Sequence, residues 1–274
     1  MDASPELART LDRAEARAWR IREERAGGMG INVRDFGGPV GFVSALHPVP
    51  EANRVLGLTE DDAGAVADVV AWFAEQNVPP RIDLAEPSSS PRLEAALRDA
   101  GLEPMTDGGA SVVMTGRPRR YAPPPEPKRV RRVAGDDVDR YLALQARIEP
   151  IGEDEQVRRE IVALATQQLT GVHRYVAMVD GDPVAWAEAH MIDGTLYLTG
   201  AATVPAHRGV GCHSTLVRVR ILAGIAEGSR QAVAAVPAGS TAQRNMERAG
   251  LEVAYTRRAW MPPQWAVTPF YSGD

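Results

Sequence analysis

Apolar residues run from Thr195 to Ala202 with strand character, and from Thr215 to Ala226 they recur at helical spacing. Between the two runs lies residues 203–214, holding Arg208, Gly209, Val210 and Gly211. Downstream the pattern predicts a helix over 213–227, a strand from Gln231 to Val236, and a helix over 240–249. Ser240 is its N-cap and Gly250 its stop, and a last strand follows from Leu251 to about Trp260. Upstream, Val184 to Met191 alternates, so Trp186, Glu188 and His190 share one strand face. Turns at 180–183 and at Asp193-Gly194 bound that strand.

The first half carries a similar series. A charged amphipathic helix from Pro5 to Glu24 precedes strands Ile31–Phe36 and Val40–Leu46, paired around Gly37-Gly38-Pro39. A helix from about Asp61 to Glu75, a strand from Arg81 to Ala85 and a helical run to Gly101 complete it. Pro87 begins a serine-rich stretch before that run, as Pro237 does before Ser240, and the runs end in Ala100-Gly101-Leu102-Glu103 and Ala249-Gly250-Leu251-Glu252. Helix, strand, helix recur at a large period, which marks a repeated supersecondary unit. Between the halves, residues 118–128 hold five prolines and read as a stiff extended linker. The basic residues around it, Arg119, Arg120, Lys128, Arg129, Arg131 and Arg132, suit a solvated crossover, or else a contact to an acidic ligand or nucleic acid. The expected division is 1–117, linker 118–129, and 130–274.

With 274 residues, 44% of them hydrophobic, the chain can bury two cores. A net charge of −5 and 5% aromatic content argue against a general nucleic-acid binder. The sequence has no apolar run long enough for a membrane span. The polar, acidic opening segment does not read as a signal peptide, and Cys212 is the single cysteine, so a cytoplasmic location is expected.

A strand, a glycine-bearing loop and a helix in that order form an anion site. Glycines let the backbone approach a ligand, and the helix's first amides point at it. The expected anion is a phosphate or pyrophosphate. The loop is no Walker A sequence, since no Gly-Lys-Ser/Thr follows, and it lacks the third glycine of the dinucleotide fingerprint. It resembles the Arg/Gln-x-x-Gly-x-Gly/Ala signature of the GCN5-related N-acetyltransferases, the GNAT proteins, with Arg208 and Gly211 in the first and fourth slots. His213 stands where the family has a small residue. The stretch 242–251 also resembles the family's late helix, which ends in Gly-Phe or Gly-Leu, and the likeness covers residues 130–262.

The resemblance implies an α/β fold with a mixed sheet: two tandem GNAT-like domains, each a central mixed β-sheet flanked by helices. Only the second would carry the coenzyme A loop. The first has Gly57 followed by Glu60, Asp61 and Asp62, and three carboxylates repel a pyrophosphate while suiting a helix N-terminus. The implied activity is direct acyl transfer, usually acetyl, from acetyl-CoA or another acyl-CoA to an amine. Ala202, Thr203 and Val204 would face the pantetheine arm. The loop from Arg208 through Gly209, Val210, Gly211, Cys212 and His213 to Ser214 would hold the pyrophosphate. Arg208 either pairs with phosphate or is a solvated cation, and Asn245 either touches the pantetheine or caps a neighbour.

In many members a tyrosine four residues before the closing glycine protonates the leaving thiolate; here that slot is Met246. Tyr255 is the nearest replacement in sequence, or else a half-buried strand tyrosine. Glu188 and His190 are candidates for moving the amine proton, or else an edge facing solvent. Cys212 as nucleophile does not fit direct transfer, and His207 and His213 lack the partners of a zinc site, so no metal is expected. The expected acceptor is a small-molecule amine bound between the halves, and the expected assembly a monomer or homodimer. The other readings are a non-catalytic acyl-CoA-binding or regulatory protein, suggested by Met246 and His213, and a protein N-acetyltransferase that docks through its first half. Neither a nucleic acid nor a membrane is an expected partner.

Overall fold

The structure is a computed structural model that describes residues 4–25, 31–44, 53–106, 109–119, 130–133, 138–148 and 172–265. Most of the proline-rich stretch, 120–129, and the tail beyond 265 lie outside them. Two compact units emerge: Met1–Val113 with Val253–Asp274, and Met114–Glu252. The sequence places the division in the proline-rich stretch and keeps the last strand with 130–274. The contacts divide the chain inside two strands instead, and the reason is the ladder partner that the last strand takes.

In the first unit, helix α1 (Pro5–Arg25) precedes strands β1 (Ile31–Asp35), β2 (Val40–Ser44) and β3 (Arg54–Leu56). A 3₁₀ turn at Glu60–Ala65 leads into α2 (Val66–Glu75), followed by β4 (Ile82–Ala85), α3 (Pro91–Asp99), β5 (Glu103–Pro104) and β6 (Ala110–Gly116). β1, β2 and β3 pair antiparallel, and β3 pairs parallel with β4. The last strand of the chain, β12 (Glu252–Met261), adds antiparallel to β4 from Arg257↔Ala85 to Trp260↔Ile82. One face of this sheet packs α2 and α3 through Val55, Phe73, Leu93, Leu97 and Trp260. The α1 side packs Ala16 and Trp19 against Phe42 and Leu56.

The second unit holds β7 (Val130–Arg132), α4 (Val138–Ile148), β8 (Val172–Val179), β9 (Asp182–Ile192) and β10 (Thr195–Thr203). Then come α5 (Cys212–Ala226), β11 (Gln231–Pro237) and α6 (Thr241–Arg248). β7 to β10 pair antiparallel in order, and β11 joins β10 in parallel. The two sheet faces separate cleanly, because side chains alternate along a strand. Tyr175, Ala177, Ala185 and Ala187 meet α5 through Cys212 and Leu216. Val176 and Trp186 meet α4 through Tyr141 and Leu144. Small alanines on the α5 side let that helix lie close to the sheet.

The repeat read from sequence is structural. Antiparallel strands followed by a parallel pair occur in both units: β3 with β4, and β10 with β11. The late helices match in detail. Ser90 Oγ accepts from the Leu93 amide at 3.2 Å, Ser240 Oγ from Gln243 at 3.1 Å. Each helix ends at a left-handed glycine, Gly101 (φ 80°) and Gly250 (φ 81°).

Candidate functional site

In the second unit β10 and β11 pair only from Thr195↔Gln231 to Tyr197↔Val233. β10 continues to Thr203 on β9 alone, with Ala202 opposite Trp186 and Thr203 opposite Ala185, and the Val204 amide still donates to Val184 O at 2.9 Å. The parting coincides with a bulge between Thr199 and Ala201. An extra residue bends a strand and increases its twist. Gly200 occupies the bulge at φ 31°, and a Cβ there would stand 2.8 Å from the Trp186 ring. The sequence thus supplies glycine where the backbone crosses an indole. Beyond the bulge, among the described residues, no strand pairs with the other edge of β10 at Ala202 and Thr203.

The loop after β10 makes a 3₁₀ turn at Pro205–His207 and reaches α5 through Gly209 (φ 80°) and Gly211 (φ 87°). Both are left-handed; a Cβ on Gly209 would meet nothing within 4 Å, and one on Gly211 only Ser214 Oγ. Gly211 is the N-cap and supplies no side-chain cap. The first-turn amides, at Cys212, His213 and Ser214, have no preceding turn to bond and carry the positive end of the helix dipole. Arg208 and Val210 are exposed beside them.

In the first unit the turn before α2 is capped by its own side chain. Asp62 Oδ2 accepts from the Thr59 amide at 2.9 Å and from Thr59 Oγ1 at 2.7 Å. Glu60 and Asp61 add negative charge to the same turn.

His213 turns toward α6. Asn245 Nδ2 donates to His213 Nδ1 at 2.9 Å, and Arg248 Nη1 donates to Asn245 Oδ1 at 3.0 Å. With Nδ1 accepting, the ring proton stands on Nε2. Burial, reinforced by the charge of Arg220, lowers the imidazole to about 4. His213 is therefore a neutral ring with one N–H donor on the first turn of α5. Asn245 caps a neighbour, one of the two roles open to it in the sequence. Cys212 is buried with Leu216 and Ala185, so its thiol belongs to the core and only its backbone faces the loop.

On the α4 face Glu188 is the hub. Its Oε1 accepts from Arg174 Nε at 2.8 Å and from Tyr141 Oη at 3.0 Å, and its Oε2 lies 3.7 Å from His190 Nε2. Trp186 stacks edge-on against Tyr141 with centroids 5.8 Å apart. The shared strand face read from sequence therefore holds an assembled cluster rather than a solvent-facing edge. Tyr141 and Arg174 carry no motif in the sequence and are found only once α4 and β8 pack beside β9.

The chain as a whole has counterparts among solved structures. A GCN5-related N-acetyltransferase from Kribbella flavida superposes with a TM-score of 0.63 at 18% identity, over 90% of this chain and 95% of that one. A GCN5-related N-acetyltransferase from Sphaerobacter thermophilus gives 0.58 at 15% identity, over 95% and 94%. A tandem GNAT protein from the clavulanic acid biosynthesis pathway gives 0.59 at 14% identity, over 91% and 95%. The chain has the GNAT fold. No family model matches the sequence, and no curated protein matches it.

Tyr255, considered for the acid role, is engaged by partners of the first unit. It lies in the first unit on β12, buried, where its phenol donates to Asp12 and accepts from Arg257 Nη2 at 3.2 Å. Burial raises that phenol further above its ordinary range. Around it Arg257 Nη1 meets Glu15 at 2.8 Å, Arg54 joins Glu15 at 2.7 Å and Asp83 at 3.1 Å, and Arg81 meets Asp83 at 2.7 Å. This buried network ties α1, β3, β4 and β12 together. Met246, in the slot of the family tyrosine, is 2% exposed and packs as core. Among the described residues no group of His, Cys, Asp and Glu is arranged to hold a metal, and no helix is long and apolar enough to cross a membrane.

Proposed function

We propose that this protein is an acyl-CoA-dependent N-acyltransferase, with acetyl-CoA as the donor and a small-molecule amine as the acceptor. The observation that carries the reading is the parting of β10 from β11 directly before a loop whose two left-handed glycines open onto the N-terminus of α5. An extended arm fits along the unpaired edge at Ala202, Thr203 and Val204. The amides from Arg208 to Ser214 suit a pyrophosphate, and Arg208 is exposed beside them. The coenzyme supplies an activated thioester.

In this reading the acceptor nitrogen attacks the thioester carbon, a C–N bond forms and the C–S bond breaks. His190 receives the amine proton, and Glu188 orients the ring and stabilises its charged form. Glu188 itself is held by Arg174 and Tyr141, which makes it an anchor more than a base. The departing thiolate takes its proton from the imidazolium or from water, because Met246 has none to give and Tyr255 is committed to Asp12.

The same buried Met246 favours a second reading, a protein that binds acyl-CoA without turning it over. Release of free thiol from acetyl-CoA in the presence of a panel of small amines separates the two. Amine-dependent release that falls at least tenfold in His190→Ala supports the enzyme. Tight coenzyme binding with no release across the panel supports the binder.

A further inference from the structure

Arg174 on β8 is the register partner of Glu188 on β9. Its Nε donates to Glu188 Oε1 at 2.8 Å, and its guanidinium lies 5.7 Å from the centre of the Tyr141 ring. Tyr141 Oη donates to the same oxygen at 3.0 Å. Oε2 is the oxygen nearest His190, 3.7 Å from Nε2. Arg174 is 7% exposed and His190 4%. Arg174 Nη2 is buried without a hydrogen-bond partner. A buried ion pair often contributes no net stability beyond what apolar packing would give. What sets this pair apart is a third group, a titratable imidazole on the far oxygen of the carboxylate.

Cation, anion and base form a short electrostatic series. Glu188 favours a proton on His190, as any close carboxylate does. Arg174 opposes it twice. It repels an imidazolium on the other side of Glu188, and it offsets the negative charge that would stabilise one. Without the guanidinium, Glu188 and His190 hold their first proton more tightly, whichever of the two carries it. The sign of the effect therefore does not depend on where the proton rests. The other polar groups that face His190 do not replace Arg174. Tyr141 comes from α4 with a hydrogen bond and no charge, and Tyr197 lies across from His190 on β10. From the opposite face of the sheet Arg220 Nη1 bonds the backbone oxygen of Glu188 at 2.7 Å, not its carboxylate. Among the described residues Arg174 is the cation paired with that carboxylate.

We propose that Arg174 is a positioning residue that keeps the Glu188–His190 pair free of a proton at neutral pH, so that His190 stands ready to receive one from the acceptor amine. The inference rests on the acyl-transfer reading of that pair. A base that already holds a proton accepts no other, and a base works best when its proton affinity is matched to the working pH. Arg174 acts through Glu188 and touches no substrate. The carboxylate it holds still steadies the imidazolium once the reaction has formed it.

The test follows the pair directly. Protein labelled with ¹⁵N at histidine is titrated by NMR as wild type, Arg174→Met and Arg174→Lys, with the His190 signal identified by its loss in His190→Gln. The expected midpoint rises by about one pH unit in Arg174→Met and stays near the wild type in Arg174→Lys, which restores the charge. The acid limb of amine-dependent thiol release from acetyl-CoA moves upward by the same interval in Arg174→Met. An unchanged or lowered midpoint in Arg174→Met overturns the inference. So does an equal rise in both variants, which assigns Arg174 to packing. If Arg174→Met does not fold, Arg174→Gln, an amide donor without the charge, takes its place under the same criteria. The titration needs neither coenzyme nor amine. Absence of thiol release by the wild type therefore strikes at the acyl-transfer reading, while the midpoints still decide what Arg174 does to the pair.

Discussion

Asn245 on α6 donates to His213 Nδ1 across 2.9 Å, and so fixes the imidazole proton on Nε2 at the first turn of α5. The side chain at His213, where the resembled motif has a small residue, is thereby matched by a buried polar partner on α6. Asn245→Leu removes the donor and frees the ring. We expect acetyl-CoA affinity to fall by about tenfold, the loss of one hydrogen bond of about 1.4 kcal/mol. Titration calorimetry checks this.

His213 also makes stability depend on pH. Unfolded, the ring takes its proton near 6.5; folded, near 4. The native state thus binds fewer protons in that window, and stability falls as pH drops from 6.5 toward 4, by about 3 kcal/mol in all. His213→Gln, which does not titrate, flattens this slope. Denaturant unfolding of both proteins at pH 7 and pH 4.5 measures it.

The buried network in the first unit answers acid over a lower range. Burial alone would raise Asp83, but Arg81 and Arg54 outweigh it and hold the carboxyl at about 2, against 3.8 unfolded. Its contribution is complete above pH 3.8 and is lost as pH falls through that interval, by about 2 kcal/mol. Arg257→Met leaves Asp12 and Glu15 buried without their shared partner and is expected to cost about 3–5 kcal/mol. Thermal unfolding at neutral pH reads the second effect, and unfolding between pH 2 and 5 the first.

Tyr255→Phe separates structure from chemistry. The phenol bonds to Asp12 and Arg257 inside the first unit. Its removal is expected to cost about 1–3 kcal/mol of stability and to leave the rate of thiol release unchanged. A large fall in that rate at full coenzyme occupancy would return Tyr255 to the role of acid.

Much of this was legible in the sequence, where local rules act alone. The helix expected over 213–227 is Cys212–Ala226, and the serine cap and glycine stop of α6 stand at the expected Ser240 and Gly250. The turn at Gly209 and Gly211 is legible because left-handed backbone is a property of the residues themselves. Glu188 and His190 share a face because strand alternation says so, but their partners Tyr141 and Arg174 come from other elements and leave no local trace. Arg220 did leave one. It falls among Leu216, Val217, Ile221 and Gly224, on the buried stripe of α5, and a cation at that period is out of place. Tyr255 misleads because proximity in sequence to α6 says nothing about the ladder that β12 joins.

The central claim is that residues 203–214 and the open edge of β10 hold an acyl-CoA. Isothermal titration of the intact protein with acetyl-CoA, beside Gly211→Trp, tests it most directly. A bulky side chain at a left-handed N-cap blocks the approach to the first amides of α5. The account predicts micromolar binding by the wild type, lost in the variant while its thermal unfolding shows a folded protein. Absence of binding by the wild type, or equal binding by both, would contradict it.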